Sequence, residues 1–576
     1  MTAKRQKGKR SFPYGERVAG FKLFASDGFD SPRSLSNQWK MFNSDFFDRQ
    51  LYLEIFEKRV KSLKDGYRQN IALIGNKDIG KTSIVLHFLN QFTDPLILPI
   101  YVELGPELSC NQFIHKFIGA LLYNFLENSN LARNEDIDFL ISKAEKFIPK
   151  TTNAIKAVLG SFKRRNKESI FIQLLSICDI VYSETGKFCI VIFDEFHHLG
   201  NLGIKHIYKQ FSKMLMIQKK VLYIIISSAK FKAKKILSSN LALLFGNFEN
   251  LTLEEFDLET TEKFLTSRLA YMRIEKSLVD FLINFTGSSP LYLKIITDFL
   301  LKQPTPINKS KVAEIIQDLL FVESGILNQR FNNYLSQLSN LKLLPDYQEL
   351  LYRIADGHNR LRDIASSLHK PKSQVLSRLN LLLEYDLLDR SGDFFVICDR
   401  VFSFWLRFVY KYRLNYLSFD KEEQKRNFRI KIEDIINQFI LGNKKSVLER
   451  TIEVLRLFED DLIRMRAKKI RLSHFREVKP LIFVHCRLHE GLLARSKDTL
   501  WIMAIKHDNL TEEDIVDFSN QCQRFRYTKP QRKVIITNDD IHTNVRLKAM
   551  EAKILTWNLD DLNFILDLYD RPRIVP

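Results

Sequence analysis

The sequence predicts an α/β protein whose first half is a parallel sheet wrapped by helices. Three observations lead there. The apolar run 70–74 enters a glycine-bounded loop, Gly75-Asn76-Lys77-Asp78-Ile79-Gly80-Lys81-Thr82, and 83–89 leaves it as an apolar helix. A second apolar run, 188–193, ends in two adjacent carboxylates, Asp194 and Glu195. Two further β-rich runs, 96–103 and 221–228, are separated from these by helical patterns, the spacing of crossovers that make neighbouring strands parallel.

The loop has glycines at both places required by the P-loop pattern and Lys-Thr after the second. Glycines let backbone N–H groups wrap a phosphate, and the helix that follows adds the positive end of its dipole. This predicts a P-loop NTPase that binds ATP with Mg²⁺. The nucleotide contacts are Gly75, Asn76, Lys77, Asp78, Ile79, Gly80, Lys81, Thr82 and Ser83. Lys81 is also a catalytic candidate because it would reach the β- and γ-phosphates, and Thr82 would hold the metal. The carboxylates at 194–195 are the second half of such a site. Asp194 is the other metal candidate, and Glu195 is the group that would accept a proton from the attacking water. His197 and His198 follow directly, but no partner stands at metal-ligand spacing, so they are read as polar residues closing the strand.

The strand at 221–228 ends in Ser227 and Ser228. Either serine is a plain strand-end residue, or Ser228 adds to the nucleotide contacts by sensing the γ-phosphate. Helices then dominate 256–340, with Gly287 stopping one and Pro290 starting the next, a turn that would bring a helix N-terminus toward the nucleotide.

Together the P-loop, the Asp194-Glu195 strand, the Ser227-Ser228 strand and the Gly287-x-x-Pro290 turn resemble the archaeal-type ATPases of the STAND/AAA+ kind over residues 45–300. The aromatic and arginine-rich segment 398–410 is similar to the one that follows a winged helix in that family. The resemblance implies a helical lid, a winged helix and a C-terminal domain like restriction endonucleases. It leaves the arginine finger open among Arg268, Arg330, Arg400 and Arg407, with supply in trans by a homo-oligomer as the alternative.

The residues of 345–397 support the winged helix independently. Helical patterns occupy 347–355 and 361–368, and a third helix opens at Ser373 with Val375, Leu376, Leu379, Leu382 and Leu383 on its apolar face. Residues 387–396 read as a hairpin turning at Ser391-Gly392-Asp393. The exposed face of the third helix offers Lys372, Gln374, Arg378 and Asn380 to a DNA groove. Packing within the ATPase is the other use of such a module.

Composition bounds the rest. The 576 residues are 45% hydrophobic and 27% charged, as expected of a globular chain with three to four domains. No apolar run approaches the ~20 residues needed to span a bilayer, so no membrane partner is expected. The N-terminus is polar and basic rather than secretory, and the six cysteines are scattered without a CxxC pair, which suits the cytoplasm. The formal charge of +20 is partly local. Lys4, Arg5, Lys7, Lys9 and Arg10 crowd the first ten residues, Lys230, Lys232, Lys234 and Lys235 follow the 221–228 strand, and Arg464, Arg466, Lys468, Lys469, Arg471 and Arg476 form an acid-free stretch. Such an excess favours DNA or another acidic partner.

The C-terminal part reads as a long helix over 444–469, strands at 481–487, 499–505, 533–537 and 553–557, and helices at 511–523 and 559–570. The order suits a restriction-endonuclease-like domain. Its active site needs an acid on one strand and Glu-x-Lys on the next. Here the strand reads Trp501-Ile502-Met503-Ala504-Ile505-Lys506, with alanine where the metal-binding carboxylate belongs, and Glu490 and Asp498 lie upstream. Nuclease activity is therefore not expected.

The domains follow as a basic tail and lead-in at 1–44, the P-loop core at 45–250, the lid at 251–340, the winged helix and aromatic segment at 341–415, and a catalytically degenerate α/β domain at 416–576. The reading is an ATP-hydrolysing switch that couples nucleotide state to DNA or protein-partner binding. An ATP-gated nuclease and a non-hydrolysing nucleotide-bound scaffold are the alternatives.

Overall fold

In the computed structural model, which describes residues 46–126, 136–163, 167–241, 246, 248–340, 345–411, 421–466, 468–484, 486–525, 531–538 and 541–576, two separate five-stranded sheets carry the chain. The basic segment from Lys4 to Arg10 lies outside these residues.

The first sheet contains β1 (Asn70–Gly75), β2 (Ile97–Glu103), β3 (Phe188–Asp194), β4 (Val221–Ser227) and β5 (Phe248–Leu253), in the order β2-β3-β4-β1-β5. Every neighbouring pair is parallel. β1, β3 and β4 are buried along their whole length because helices cover both faces, which is why they read as unbroken apolar runs. β5 is an edge strand with alternating burial, and its Phe-Glu-Asn-Leu-Thr-Leu pattern is too polar to stand out in the sequence.

The topology places β4 between β1 and β3. All five strands run the same way, so the loop after β1, the acids at the end of β3 and the serines at the end of β4 gather at one edge.

Helices Leu258–Arg268, Lys276–Thr286, Pro290–Leu300, Lys309–Leu320 and Ile326–Asn340 follow the sheet. They share one apolar core with helices Pro345–Ala355, Leu361–Ser367 and Lys372–Glu384. Val375, Leu379 and Leu382 form the buried side of the last of these. A hairpin of β6 (Leu388–Ser391) and β7 (Phe394–Ile397) comes next. The first helix after β4, Lys230–Lys235, docks here: Lys230 Nζ lies 3.0 Å from Asp389, and the Phe231 amide donates to Asp386 at 2.9 Å.

The helix expected over 444–469 is wrong beyond its first turns. A helix does run Val447–Leu455, started by a capping box of Ser446 and Glu449. The chain then turns at Asp460, whose φ is 61°, and forms an antiparallel hairpin of β8 (Asp461–Met465) and β9 (Lys468–Leu472). Burial alternates along both strands, so the period changes from helical to two, a change hidden by the many basic residues.

The strand expected at 481–487 is also displaced. The second sheet has β10 (Phe475–Ile482), β11 (Glu490–Ser496), β12 (Leu500–Lys506), β13 (Gln531–Thr537) and β14 (Ile554–Trp557), in that spatial order. β10 is a mostly exposed edge strand containing Pro480, and it lacks the apolar run that marks a central strand. β10, β11 and β12 pair antiparallel, whereas β12, β13 and β14 pair parallel.

Candidate nucleotide site

The two motif glycines are required for different reasons. Gly80 has φ 101°, open only to glycine without strain. A Cβ on Gly75 would lie 2.5 Å from the Leu253 carbonyl oxygen, because β1 and β5 pair there. Asp78 also has a positive φ of 62°, and the Ile79 side chain turns inward among the core residues of the sheet. The loop is therefore held from behind by β5 and from below by Ile79. Lys81, Thr82 and Ser83 form the first turn of helix Lys81–Gln91.

Lys81 is 5% exposed, and its Nζ donates to the Asn76 carbonyl at 2.6 Å across the loop. Burial pulls its pKa below the usual lysine value, against the opposing pull of Glu195, Asp194 and Asp78. Asn76 itself donates to Glu255 Oε1 at 3.1 Å.

The two sequence-predicted metal ligands touch: Thr82 Oγ1 donates to Asp194 Oδ2 at 2.6 Å. A third group, unseen in the sequence, joins them. The Tyr101 hydroxyl on β2 donates to the same Asp194 oxygen at 2.7 Å. Nothing local marks this tyrosine, a common strand residue; the parallel β2–β3 register brings it to Asp194. Burial, followed by the neighbouring Asp194 charge, raises the Tyr101 pKa well above its ordinary value and keeps the hydroxyl a donor.

Glu195 has φ 51°, a tight bend at the end of β3. Its Oε2 accepts from the Ser228 hydroxyl at 2.7 Å and from the Ser228 amide at 3.1 Å. Burial raises the Glu195 pKa and Asp194 adds to this, while Ser228 and Lys81 pull it down. His197 Nδ1 lies 3.0 Å from Ser227 Oγ and 3.2 Å from Glu195 Oε2. Burial lowers the His197 pKa to about 3, so the imidazole is neutral at ordinary pH. His198 sits against Asn201, and no group of three metal-ligating side chains occurs among the described residues.

Pro290 opens helix Pro290–Leu300 at its first position, and Ser289, Leu291 and Tyr292 beside it line one large cleft with Asn76 and Lys77. The cleft, about 1560 Å³, lies between the loop, the helices that follow the first sheet and the C-terminal segment. Of the four arginine-finger candidates, Arg330, Arg400 and Arg407 line this cleft and Arg268 does not. Arg268 pairs with Asp298, Arg400 with Asp567, and Arg407 with Asp570 at 2.7 Å. Arg330 alone among these four reaches the loop, pairing with Asp78. From there a line of contacts crosses the cleft. Tyr292 lies beside Arg330 and donates to Asp399, and the next residue, Arg400, donates to Asn284 at 2.9 Å and binds Asp567. Asp567 also accepts from Arg573 at 2.9 Å, near the end of the chain.

The five-stranded parallel sheet with a strand inserted between the loop strand and the acidic strand is the P-loop NTPase fold. No family model matches the sequence, and no curated protein matches it. Among solved structures the chain is similar to a Walker-type ATPase of Pyrococcus abyssi, at 16% identity over 66% of this chain and 99% of that one, with a TM-score of 0.45. It is also similar to the ORC2 protein of Aeropyrum pernix, at 10% identity over 73% and 98% with a TM-score of 0.38. A third likeness is the ORC1 protein of the same organism in complex with DNA, at 12% identity over 63% and 92% with a TM-score of 0.32. These are likenesses of fold.

Proposed function

We propose that this chain binds ATP with Mg²⁺, hydrolyses it, and uses the nucleotide state to control binding of DNA or a partner. The observation that carries this reading is the contact between Thr82 and Asp194, which joins the glycine loop to the acidic strand with Glu195 one residue further on. The residues fit both the nucleotide and the ion. Gly75 and Gly80 shape a backbone cradle that a larger side chain would distort, and Lys81 is a buried cation that donates to a loop carbonyl oxygen. Thr82 and Asp194 supply hydroxyl and carboxylate oxygens, the donors that Mg²⁺ takes. When bound, the ion neutralises charge on the phosphates. Lys81 would hold the β- and γ-phosphates. Glu195, its carboxylate raised in basicity by burial, would orient a water and take its proton, and Ser228 would fix that carboxylate's direction.

The line from Asp78 through Arg330, Tyr292, Asp399, Arg400 and Asp567 to Arg573 supports the switch. It joins two sets of polar contacts through the Asp399–Arg400 chain neighbours, between the loop and the C-terminal segment, so a change at Asp78 would bear on how the modules pack. In this reading the helices of 345–384 with the β6–β7 hairpin are a winged helix, and the second sheet is a restriction-endonuclease-like domain without catalysis.

The test is ATP turnover by the full chain, with and without duplex DNA, for wild type, Lys81→Ala and Glu195→Gln. Turnover lost in both variants supports the reading. Equal turnover in wild type and Glu195→Gln would overturn the role of Glu195.

A further inference from the structure

We infer that duplex DNA is held by the two-stranded ribbon β8–β9, its outward face entering the major groove, rather than by helix Lys372–Glu384. This rests on the DNA-coupling reading above and assigns its contact surface.

Three observations lead to the ribbon. The first is charge. One face of the hairpin packs Ile463, Met465, Ile470 and Leu472 into the C-terminal core. The other sets Arg464 directly opposite Lys469, with Arg471 opposite Leu462. Like charges placed directly across a ladder cost stability. Among the described residues no acid lies within ion-pair distance of Arg464 or Lys469, both exposed, while Arg471 reaches Asp460 at 3.6 Å. The outward β8–β9 face therefore carries two unneutralised cations directly opposite each other, an arrangement that a phosphate backbone would stabilise by counterion release.

The second observation is shape. Two paired strands lie about 4.8 Å apart, and the major groove, roughly 12 Å wide, admits a two-stranded ribbon as readily as a helix. The ribbon is held firmly for such a role. Its outer edge is closed by the tip of the β6–β7 hairpin: the Asp393 amide donates to the Leu462 carbonyl at 2.8 Å, the Leu462 amide to Asp393 Oδ2 at 2.7 Å, and the Arg464 amide to Ser391 Oγ at 3.0 Å. Edge pairing is thereby used up and the basic face is left.

The third observation removes the competing surface. A Cβ on Gly392 would lie 2.0 Å from the Leu462 carbonyl oxygen, so the hairpin tip that would flank a duplex as a wing is sealed against β8. On the helix, Arg378 is paired with Asp346 at 2.6 Å, and Lys372 opens onto a 280 Å³ crevice where Arg360 and Arg362 already pair with Glu459 and Asp461. The helix arginine is thus spent on an ion pair, whereas Arg464 and Lys469 of the ribbon make none among the described residues.

The test uses the full chain and a short fluorescein-labelled DNA duplex, with binding followed by anisotropy across a salt series. Arg464→Glu with Lys469→Glu should weaken binding roughly 10-fold or more and reduce the log–log salt slope by about two, at ~0.9 for each phosphate no longer neutralised. Basal ATP turnover should be unchanged in Lys469→Glu alone, which lies off the cleft that Arg464 shares with Asn76 and Lys77. Arg464→Gln with Lys469→Gln, which cannot add repulsion, should reduce the slope equally. Lys372→Glu with Gln374→Glu should leave the slope as in wild type. A slope lowered by the helix pair and untouched by the ribbon pairs would overturn the inference while leaving DNA binding intact. Single-stranded RNA bound as tightly as the duplex would overturn the groove assignment. A wild-type chain that binds no DNA at any salt would overturn both this inference and the reading beneath it.

Discussion

The two sheets of this chain use the same material to opposite ends. In the first, the buried strand β3 ends in Asp194, gripped by Thr82 and Tyr101, and Glu195 beyond it is aimed by Ser228. In the second, the equally buried strand β12 ends in Lys506, whose Nζ lies 3.6 Å from the buried Asp514. Ala504 is fully buried at the position that the proposed restriction-endonuclease-like reading gives to a metal-binding carboxylate. Across the ladder sits Gly491, and a Cβ there would lie 2.3 Å from Phe483, so the neighbouring strand has no room for a carboxylate either. The alanine is visible in the sequence; the structure adds the ring packed over its partner. A scaffold of buried strands and helices does not confer chemistry, which depends on whether the strand ends carry oxygen ligands or close on themselves.

The sharpest way to test that contrast is at the first sheet. Glu195→Gln should keep nucleotide binding and lower turnover by roughly 10²- to 10⁴-fold, the usual contribution of a positioned base. Lys81→Ala should weaken nucleotide binding itself, by roughly 10- to 100-fold for one charge-assisted hydrogen bond, as read by titration with a fluorescent ATP analogue. Strong binding retained in Lys81→Ala would mean that the buried lysine belongs to the fold rather than to the site.

At the second sheet the expected outcome is silence. Neither wild type nor Ala504→Glu should cleave supercoiled DNA with Mg²⁺ or Mn²⁺, because Gly491 and Phe483 leave no space for the second acid. Cleavage by Ala504→Glu, lost again with Lys506→Ala, would break the contrast by showing another acid, such as Glu490, within reach. Glu490 stands at the start of β11 beside His507, and Asp498 lies in the turn before β12, at the opposite end of that strand from Lys506.

Lys506→Ala should instead act on stability. It leaves Asp514 buried without its cation, at a cost of about 1–3 kcal/mol, measurable by urea unfolding. An unchanged midpoint would mean that the Thr511–Asp514 capping box alone satisfies the carboxylate.

The smallest expected effect is on pH dependence. Burial holds the Glu195 carboxyl above the usual range, and the Ser228 hydrogen bonds draw it back down. Ser228→Ala removes the hydroxyl bond, so the pKa should rise and the base form should be lost at a higher pH. The acid limb of the kcat–pH profile should then move upward. A limb that moves down, or stays in place, would detach Ser228 from the role proposed for Glu195.

What the sequence by itself determined is local. A P-loop needs glycine at Gly80 because the backbone there takes φ 101°, and buried parallel strands must be apolar along their length. Both requirements act within a few residues, so the loop, the acidic strand and the serine strand are legible in the chain. Tertiary structure decided the rest. The insertion of β4 between β1 and β3, the approach of Tyr101 to Asp194, and the pairing of Asp78 with Arg330 across 252 positions depend on registers and packing that no short window contains. The β8–β9 hairpin reads as helix in the sequence for a related reason. Its lysines and arginines fit either period, and only the burial of Ile463, Met465, Ile470 and Leu472 against the C-terminal core selects the strand. Local propensity is worth tenths of a kcal/mol per residue, whereas burying such side chains is worth about 1.5–3 kcal/mol each, so where the two disagree the core decides.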